Sequence, residues 1–333
     1  MTPMNTLSEL VLELTDWCPL ACLHCSSNSE PNRNTRLEEQ VVHRLLKEAK
    51  ALGASQVSFG GGEPTASPLF VRSLQTVAKL GMKSEVFTCG VLHTGGKARP
   101  LNGGILERLS RIPAVKLIFS FHGATPQVHD QVTQTSGSFV CLMASLTAAI
   151  KAGILCEMNY VPMRLNAHQL EHLVELASDL GIRRVSLLRF VPQGRGLVNR
   201  PELELSREAE DTFVAELTHI RQERKVELRT GSPFNGIIPG NHVPCRAGSG
   251  KLVVQSDGNV LPCEVFKHVQ MRCWGLSACA MSLGKMLGSP KIVALRRRVE
   301  ATDCERCPVH WNLRTRNSSR SANAISAASL LSR

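Results

Sequence analysis

Aromatic residues are scarce in this chain of 333 residues: 10 Phe, 3 Trp and 1 Tyr make up 4% of it. Platforms that stack nucleic-acid bases need aromatic faces, so a nucleic-acid partner is not expected, despite a formal net charge of +11. Part of that charge is local. Residues 308–333 hold four arginines, Arg314, Arg316, Arg320 and Arg333, and no acid, which reads as a solvated basic tail. A run of about 18 uncharged apolar residues is lacking, so no membrane-spanning helix is expected. Residues 1–14 contain Glu9 and Glu13 and no basic stretch, so a secretory signal is not expected either. The chain is accordingly read as cytoplasmic. With 43% hydrophobic and 20% charged residues, it has the material for a buried core, and wholesale disorder is excluded.

What the chain does have is cysteine, 12 in all. In a reducing compartment, clustered cysteines read as metal ligands or catalytic thiols rather than as a disulfide framework.

Strand and helix signals alternate through the first 190 residues. Short β-prone runs are expected at 10–14, 56–59, 84–88, 115–121, 155–161 and 185–190. Apolar residues at helical spacing, closed by glycines, predict helices at 36–52, 67–80, 105–111, 139–152 and 167–180. Thr35 with Glu38 has the pattern of a capping box, and Asn166 that of a helix cap. Six strands joined by five helices imply parallel strands and right-handed crossovers, with ligands at the carboxyl ends of the strands. Residues 203–224 read as a charged helix. Asp257-Gly258 between two apolar runs predicts a hairpin, the centre of a second, small, cysteine-bearing unit.

Cys18, Cys22 and Cys25 follow the first strand with the spacing C-x3-C-x2-C. Three thiolates on one short loop can converge on one centre, and soft thiolates select zinc or iron–sulfur clusters. A structural zinc site wants a fourth ligand. His24, lying between two of the cysteines, is awkwardly placed to supply it. Three ligands on a four-iron cube leave one iron open to a substrate or cofactor. After the second strand comes the turn Gly60-Gly61-Gly62-Glu63-Pro64.

The cysteine triad, with an imidazole before its last member, and the glycine turn together resemble the radical S-adenosylmethionine (SAM) superfamily. The resemblance covers residues 9–196 and implies an α/β fold, a partial (β/α)6 TIM-type barrel. It implies that Cys18, Cys22 and Cys25 hold a 4Fe–4S cluster whose open iron takes SAM. Backbone groups of Gly61 and Gly62, with Glu63, would receive the SAM amino group, and Ser120 would touch SAM. An external electron donor such as flavodoxin or ferredoxin would reduce the cluster. The chemistry implied is reductive cleavage of SAM to a 5′-deoxyadenosyl radical that abstracts a substrate hydrogen.

Other stretches resemble the family more loosely. Ser120-Phe121-His122-Gly123 has His122 where relatives often have Asp, and Thr88-Cys89-Gly90 stands for Thr-Asn-Gly. Arg195, in Gln193-Gly194-Arg195-Gly196, is read either as a ligand for a carboxylate or SAM or as structural. Cys89, Cys141 and Cys156 are read as core. The pattern C-x12-G-x4-C of Cys245, Gly258 and Cys263, with the later C-x2-C of Cys304 and Cys307, resembles SPASM and twitch auxiliary domains. It implies a second, auxiliary 4Fe–4S cluster on Cys245, Cys263, Cys304 and Cys307. A zinc ribbon is the alternative. Cys273 and Cys279 are read as free thiols.

The organisation expected is a barrel over 1–198, a helical connector over 199–240, a small twitch-like domain with a β-hairpin over 241–311 and a basic disordered tail over 312–333. The expected function is a radical SAM oxidoreductase or lyase. Few residues precede Cys18, which suggests no separate peptide-recognition domain. The reading therefore favours dehydrogenation, decarboxylation or epimerisation of a small natural-product intermediate such as a sugar, aminocyclitol or nucleoside. The alternative is a maturase that crosslinks, epimerises or oxidises a ribosomally made peptide. A different class altogether, an iron–sulfur electron carrier or a zinc-stabilised binding protein, would have no need of the ammonium site at Gly61-Gly62-Glu63.

Overall fold

The computed structural model describes residues 6–223, 226–267 and 274–301. Cys273, Cys304, Cys307 and the 312–333 tail lie outside them. In chain order the elements are β1 (Glu9–Thr15), α1 (Glu39–Ala51), β2 (Gln56–Gly61), α2 (Phe70–Lys79), β3 (Lys83–Thr88), β4 (Val91–Thr94), β5 (Lys97–Pro100), α3 (Gly103–Ser110), β6 (Val115–Phe121), α4 (Pro126–Thr133), α5 (Ser138–Lys151), β7 (Leu155–Tyr160), α6 (Leu170–Asp179), β8 (Arg184–Leu187), α7 (Arg195–Val198), α8 (Arg200–Leu203), α9 (Arg207–Glu223), β9 (Glu227–Thr230), β10 (Lys251–Val254), β11 (Val260–Leu261), α10 (Leu283–Leu287) and α11 (Pro290–Ala301).

Among the described residues nine strands form one sheet in the order β11-β10-β1-β2-β3-β6-β7-β8-β9, and all neighbours are parallel except β10 and β11. The six expected barrel strands are its centre. The sheet extends beyond them at both edges. Strand β9 arises inside the segment read as a helical connector and pairs with β8. The hairpin around Gly258 forms as its sequence predicts, but β10 pairs in parallel with β1 instead of standing apart.

Alternation along each strand divides the sheet into two faces. One face carries Leu10, Leu12 and Leu14 of β1, Leu117 and Phe119 of β6 and Met158 and Tyr160 of β7, all at 0% exposure, packed with the inward stripes of the helices. Each such side chain contributes about 1.5–3 kcal/mol of burial. The other face is polar. Lys116 bridges Glu85 at 2.7 Å and Glu157 at 3.1 Å; Arg184 bridges Glu157 at 3.0 Å and Glu227 at 2.8 Å. This ladder of alternating charge runs across β3, β6, β7, β8 and β9. Parallel sheets covered on both sides by helices are apolar on both faces; here the second, concave face carries this charge ladder, with Val11 and Ile118 among its few buried apolar side chains.

Two expected caps do not form. Helix α1 starts at Glu39, and the side chain of Glu38 caps nothing. Thr35 is recruited elsewhere: its N–H donates to Asp16 Oδ1 at 2.7 Å and its carbonyl accepts from Asp16 N–H at 3.0 Å. The Asn166 carboxamide accepts from Met163 N–H at 2.6 Å and donates to the His122 and Val161 carbonyls, each at 3.1 Å, so it braces the end of β6 instead of a helix. The β4–β5 hairpin, which turns on Gly95-Gly96 with both at positive φ, and α4, which opens on Pro126, were not among the expected elements.

Candidate functional site

The cysteine loop emerges at the carboxyl end of β1. Its neck is closed by the Asp16–Thr35 pair just described. Its tip reaches α4, where Ala21 and Leu23 N–H donate to the Thr133 and Val132 carbonyls at 3.2 and 2.9 Å. The remaining carbonyls would lack partners if the loop stood alone. The turn after β8 supplies them. Arg195 N–H donates to Cys25 O at 3.0 Å, Arg195 Nε to Cys22 O at 3.0 Å and Arg195 Nη2 to Ser29 O at 2.6 Å, and Asn199 Nδ2 donates to Leu23 O at 2.9 Å. Gly194 lies so close that a Cβ there would stand 2.4 Å from Cys25 O. Arg195 is thus a clamp for the cysteine loop, the structural one of its two expected roles.

The three thiols are not joined by disulfides. Burial pushes the Cys22 thiol well up, and the neighbouring Cys18 and Cys25 sulfurs push it further. Burial also pushes the Cys25 thiol up, against the pull of Arg195. Three unbridged thiols on one loop are the soft donor set that an iron–sulfur cluster takes, and the charge of a bound cluster would deprotonate them. The donor set therefore fits an iron–sulfur cluster.

The glycine turn sits against this loop. Gly62 N–H donates to Thr15 O and Glu63 N–H to Trp17 O, both at 2.8 Å. A Cβ on Gly62 would stand 2.0 Å from Trp17 O, so only glycine permits this approach. Glu63 is 1% exposed. Its Oε1 accepts from Thr65 N–H, Thr65 Oγ1 and Thr88 Oγ1 at 3.1, 2.6 and 2.8 Å, and its Oε2 accepts from Cys89 N–H at 2.8 Å. The carboxylate thus ties the end of β2 to the end of β3. This places Cys89 at the site, half-buried, and not in the core as expected. Burial pushes its thiol well up, and Cys18 and Glu63 add to the effect. Ser120 lies between buried Phe119 and Phe121 on β6 and so belongs to the concave face, opposite Asn159 of β7. Cys156 is in the core as expected; Cys141, on α5, is half-buried.

Three imidazoles cluster at the cysteine loop. His24, in the loop, meets His122 edge-on with ring centroids 4.5 Å apart, and the His122 and His129 rings are tilted to one another with centroids 5.4 Å apart. His122 N–H donates to His129 Nδ1 at 3.2 Å. Burial, with Arg195 nearby, lowers His24 to about 4, and burial lowers His129 to about 4. His122 thus occupies a packed, buried position.

Of the auxiliary ligand set, Cys245 and Cys263 are described. Both are half-buried and pack against the small core that includes Val253 and Leu261 of the hairpin. Cys279 is exposed. Near them is a feature with no signature in the sequence: Lys267, after Cys263, is buried against Glu13 of β1.

The chain belongs to the radical SAM superfamily. The family model for that superfamily matches residues 12–177, and a model for an iron–sulfur cluster-binding domain (SPASM) matches residues 245–308. The protein is therefore a radical SAM enzyme; its cofactors are a 4Fe–4S cluster and SAM, and its second domain is of the type that holds further iron–sulfur clusters. Among curated relatives, a PqqA peptide cyclase of Ruegeria pomeroyi is 32% identical over 271 residues, covering 78% of this chain and 68% of the relative. The PqqA peptide cyclase of Gluconobacter oxydans is 30% identical, covering 79% and 72%. The fold is shared with Streptococcus suis SuiB, solved bound to the precursor peptide SuiA (TM-score 0.68, 18% identity, 96% of this chain and 69% of that one). It is shared too with anSMEcpe, solved with AdoMet and the Cp18Cys peptide (TM-score 0.66, 16% identity, 86% and 81%). No helix among the described residues is long and apolar enough to cross a membrane.

These relatives overturn one expectation. The sequence reading favoured a small natural-product intermediate as substrate; the relatives at 32% and 30% identity are peptide cyclases. The count of residues before Cys18 carried that choice, and it reports nothing about the side chains at the barrel mouth, where substrate is selected.

Two predictions follow from this geometry. Replacing Arg195 by Met leaves the Cys22 and Ser29 carbonyls without its side-chain donors, at about 1–3 kcal/mol for each buried group so orphaned. Iron retained per chain after anaerobic reconstitution and gel filtration should fall well below wild type; undiminished retention would refute the clamp. The second concerns pH. His129 is held neutral in the fold but protonates in the unfolded chain below its ordinary value of 6.5. The corresponding stability is therefore complete above pH 6.5 and declines as pH falls towards about 4, by about 3 kcal/mol in all. Urea melts of the His129→Leu variant should lose stability less steeply over that window than wild type, and parallel slopes would contradict the assignment.

Proposed function

We propose that this enzyme matures a peptide, forming an intramolecular crosslink between two of its residues. The observation that carries the reading is the identity of 32% and 30% to PqqA peptide cyclases over more than three quarters of this chain. SuiB, of the same fold, was solved with a precursor peptide, which agrees with it. We infer that Cys18, Cys22 and Cys25 hold the SAM-binding cluster, that Gly61, Gly62, Glu63 and Ser120 line the SAM site, and that Cys245, Cys263, Cys304 and Cys307 serve the auxiliary domain. A flavodoxin or ferredoxin is the proposed electron donor.

When bound, the cluster and SAM together supply a carbon-centred radical able to remove a hydrogen atom from an unactivated carbon. The chain's residues arrange that chemistry. Gly62 lets the turn after β2 lie directly on the loop that carries the thiols. Glu63 spends its carboxylate on fixing that turn to Thr88 and Cys89, so the SAM-facing backbone is rigid before any ligand arrives. Gly194 and Arg195 hold the loop from the opposite side. Ser120, Asn159 and Ser186 lie side by side on the concave face and would offer hydrogen-bonding groups to a peptide.

Forming the crosslink breaks two bonds to hydrogen and makes one bond between the joined residues: one hydrogen atom would leave to the SAM-derived radical, and the other as a proton whose electron the iron–sulfur clusters would take up. The protein, loaded with iron under nitrogen and reduced, is therefore incubated with SAM and synthetic peptides matching short reading frames beside its gene. Tandem mass spectrometry should show a peptide lighter by two hydrogens that resists fragmentation between the joined residues. Turnover of a sugar or nucleoside with no change in any peptide would refute the reading.

A further inference from the structure

A buried ion pair joins the two cysteine-bearing parts of the chain. Glu13, on the concave face of β1, and Lys267, at the end of the short turn Glu264–Lys267, are in direct contact and are each 4% exposed. Lys267 Nζ also donates to Ser27 Oγ at 2.7 Å, and Ser27 Oγ donates to Glu13 Oε1 at 3.3 Å. Ser27 lies in the cysteine loop, just after Cys25. A second tie runs in parallel: Gln193 Nε2 donates to Glu264 O at 3.0 Å, beside the Gly194 and Arg195 that hold the same loop. Glu264 in turn pairs with Lys251 at 2.8 Å, and its Oε2 accepts from the Cys263 thiol at 3.3 Å.

Fold stability is a poor explanation for this arrangement. Removing a carboxylate and an ammonium from water costs several kcal/mol for each ion, and a well-packed apolar pair in their place is often neutral or stabilising. What the pair achieves is to place an ammonium from the segment bearing Cys263, with its carboxylate counter-charge on β1, against Ser27 of the loop bearing Cys25. Burial alone would weaken that charge, but Glu13 and Glu264, with Cys25, raise the Lys267 pKa and keep it protonated.

We propose that Lys267 is a positioning residue that sets the reduction potential of the SAM-binding cluster, by holding an ammonium from the auxiliary segment against the Cys25 side of the cysteine loop. A thiolate-ligated cluster gains negative charge on reduction. A fixed cation in a poorly screened site favours the reduced form and raises the potential. The inference rests on the superfamily and not on the nature of the substrate.

The test uses the full chain, reconstituted anaerobically and without substrate. The midpoint is followed by EPR for the cluster whose signal changes on adding SAM, in wild type, Lys267→Met, Lys267→Arg and Glu13→Gln. The expected midpoints are more negative for Lys267→Met, near wild type for Lys267→Arg, and less negative for Glu13→Gln, where the ammonium loses one counter-charge while Glu264 and Cys25 still hold it protonated. A purely structural strut would move the Met and Gln variants in the same direction or strip iron from both. Either of those results, or unmoved midpoints, would overturn the proposal. Should Lys267→Met fail to fold, the remaining pair decides: a Glu13→Gln midpoint that does not rise above wild type refutes it. Absence of any peptide product would count against the peptide reading and leave these midpoints unaffected.

Discussion

A loop that exposes carbonyls around three thiols cannot hold its own shape, and the rest of the molecule is organised around supplying the missing donors. Arg195 and Asn199 do so for its carbonyls, while the last carbonyls of α4 accept from the Ala21 and Leu23 N–H groups. The glycine turn closes another side by the contact of Gly62 with Trp17. A parallel sheet suits this purpose because every crossover returns the chain to the same edge, so β1, β2, β3, β6 and β8 all end where the cysteines emerge. The scaffold pre-pays the order that a bound cluster and SAM would otherwise impose.

Charge on the concave face is the second constraint. Glu85, Lys116 and Glu157 of the ladder and the two glutamates of β1 are largely desolvated groups that need partners. Within β3 to β9 the partners come from adjacent strands. At β1 they come from the far end of the chain, from Lys251 and Lys267. The auxiliary segment is thereby bound to the barrel through polar contacts as well as through the pairing of β10 with β1.

Features fixed by local chemistry were legible in the sequence. The C-x3-C-x2-C spacing, the Gly-Gly-Glu turn and the strand-and-helix alternation each depend on neighbours within a few residues. Features set by distant partners were not. Thr35 has a sound capping pattern with Glu38, yet Asp16 claims it. Strand β9 is four residues long and owes its place to the register with β8. Nothing near Lys267 announces Glu13. Cys89 resembles core filler in one dimension and stands beside Cys18 because Glu63 holds its amide. Substrate class escaped for a related reason: it is decided by side chains gathered from many strand ends, whose combination has no linear signature.

The central claim is that the loop of Cys18, Cys22 and Cys25 forms a working site for SAM cleavage. Its most direct test is the 5′-deoxyadenosine released from SAM by the reduced, iron-loaded protein, set against a variant with all three cysteines changed to Ala. The account predicts steady release by the native chain and none by the variant. Equal release from both, or none from a native chain that carries its iron, would contradict it.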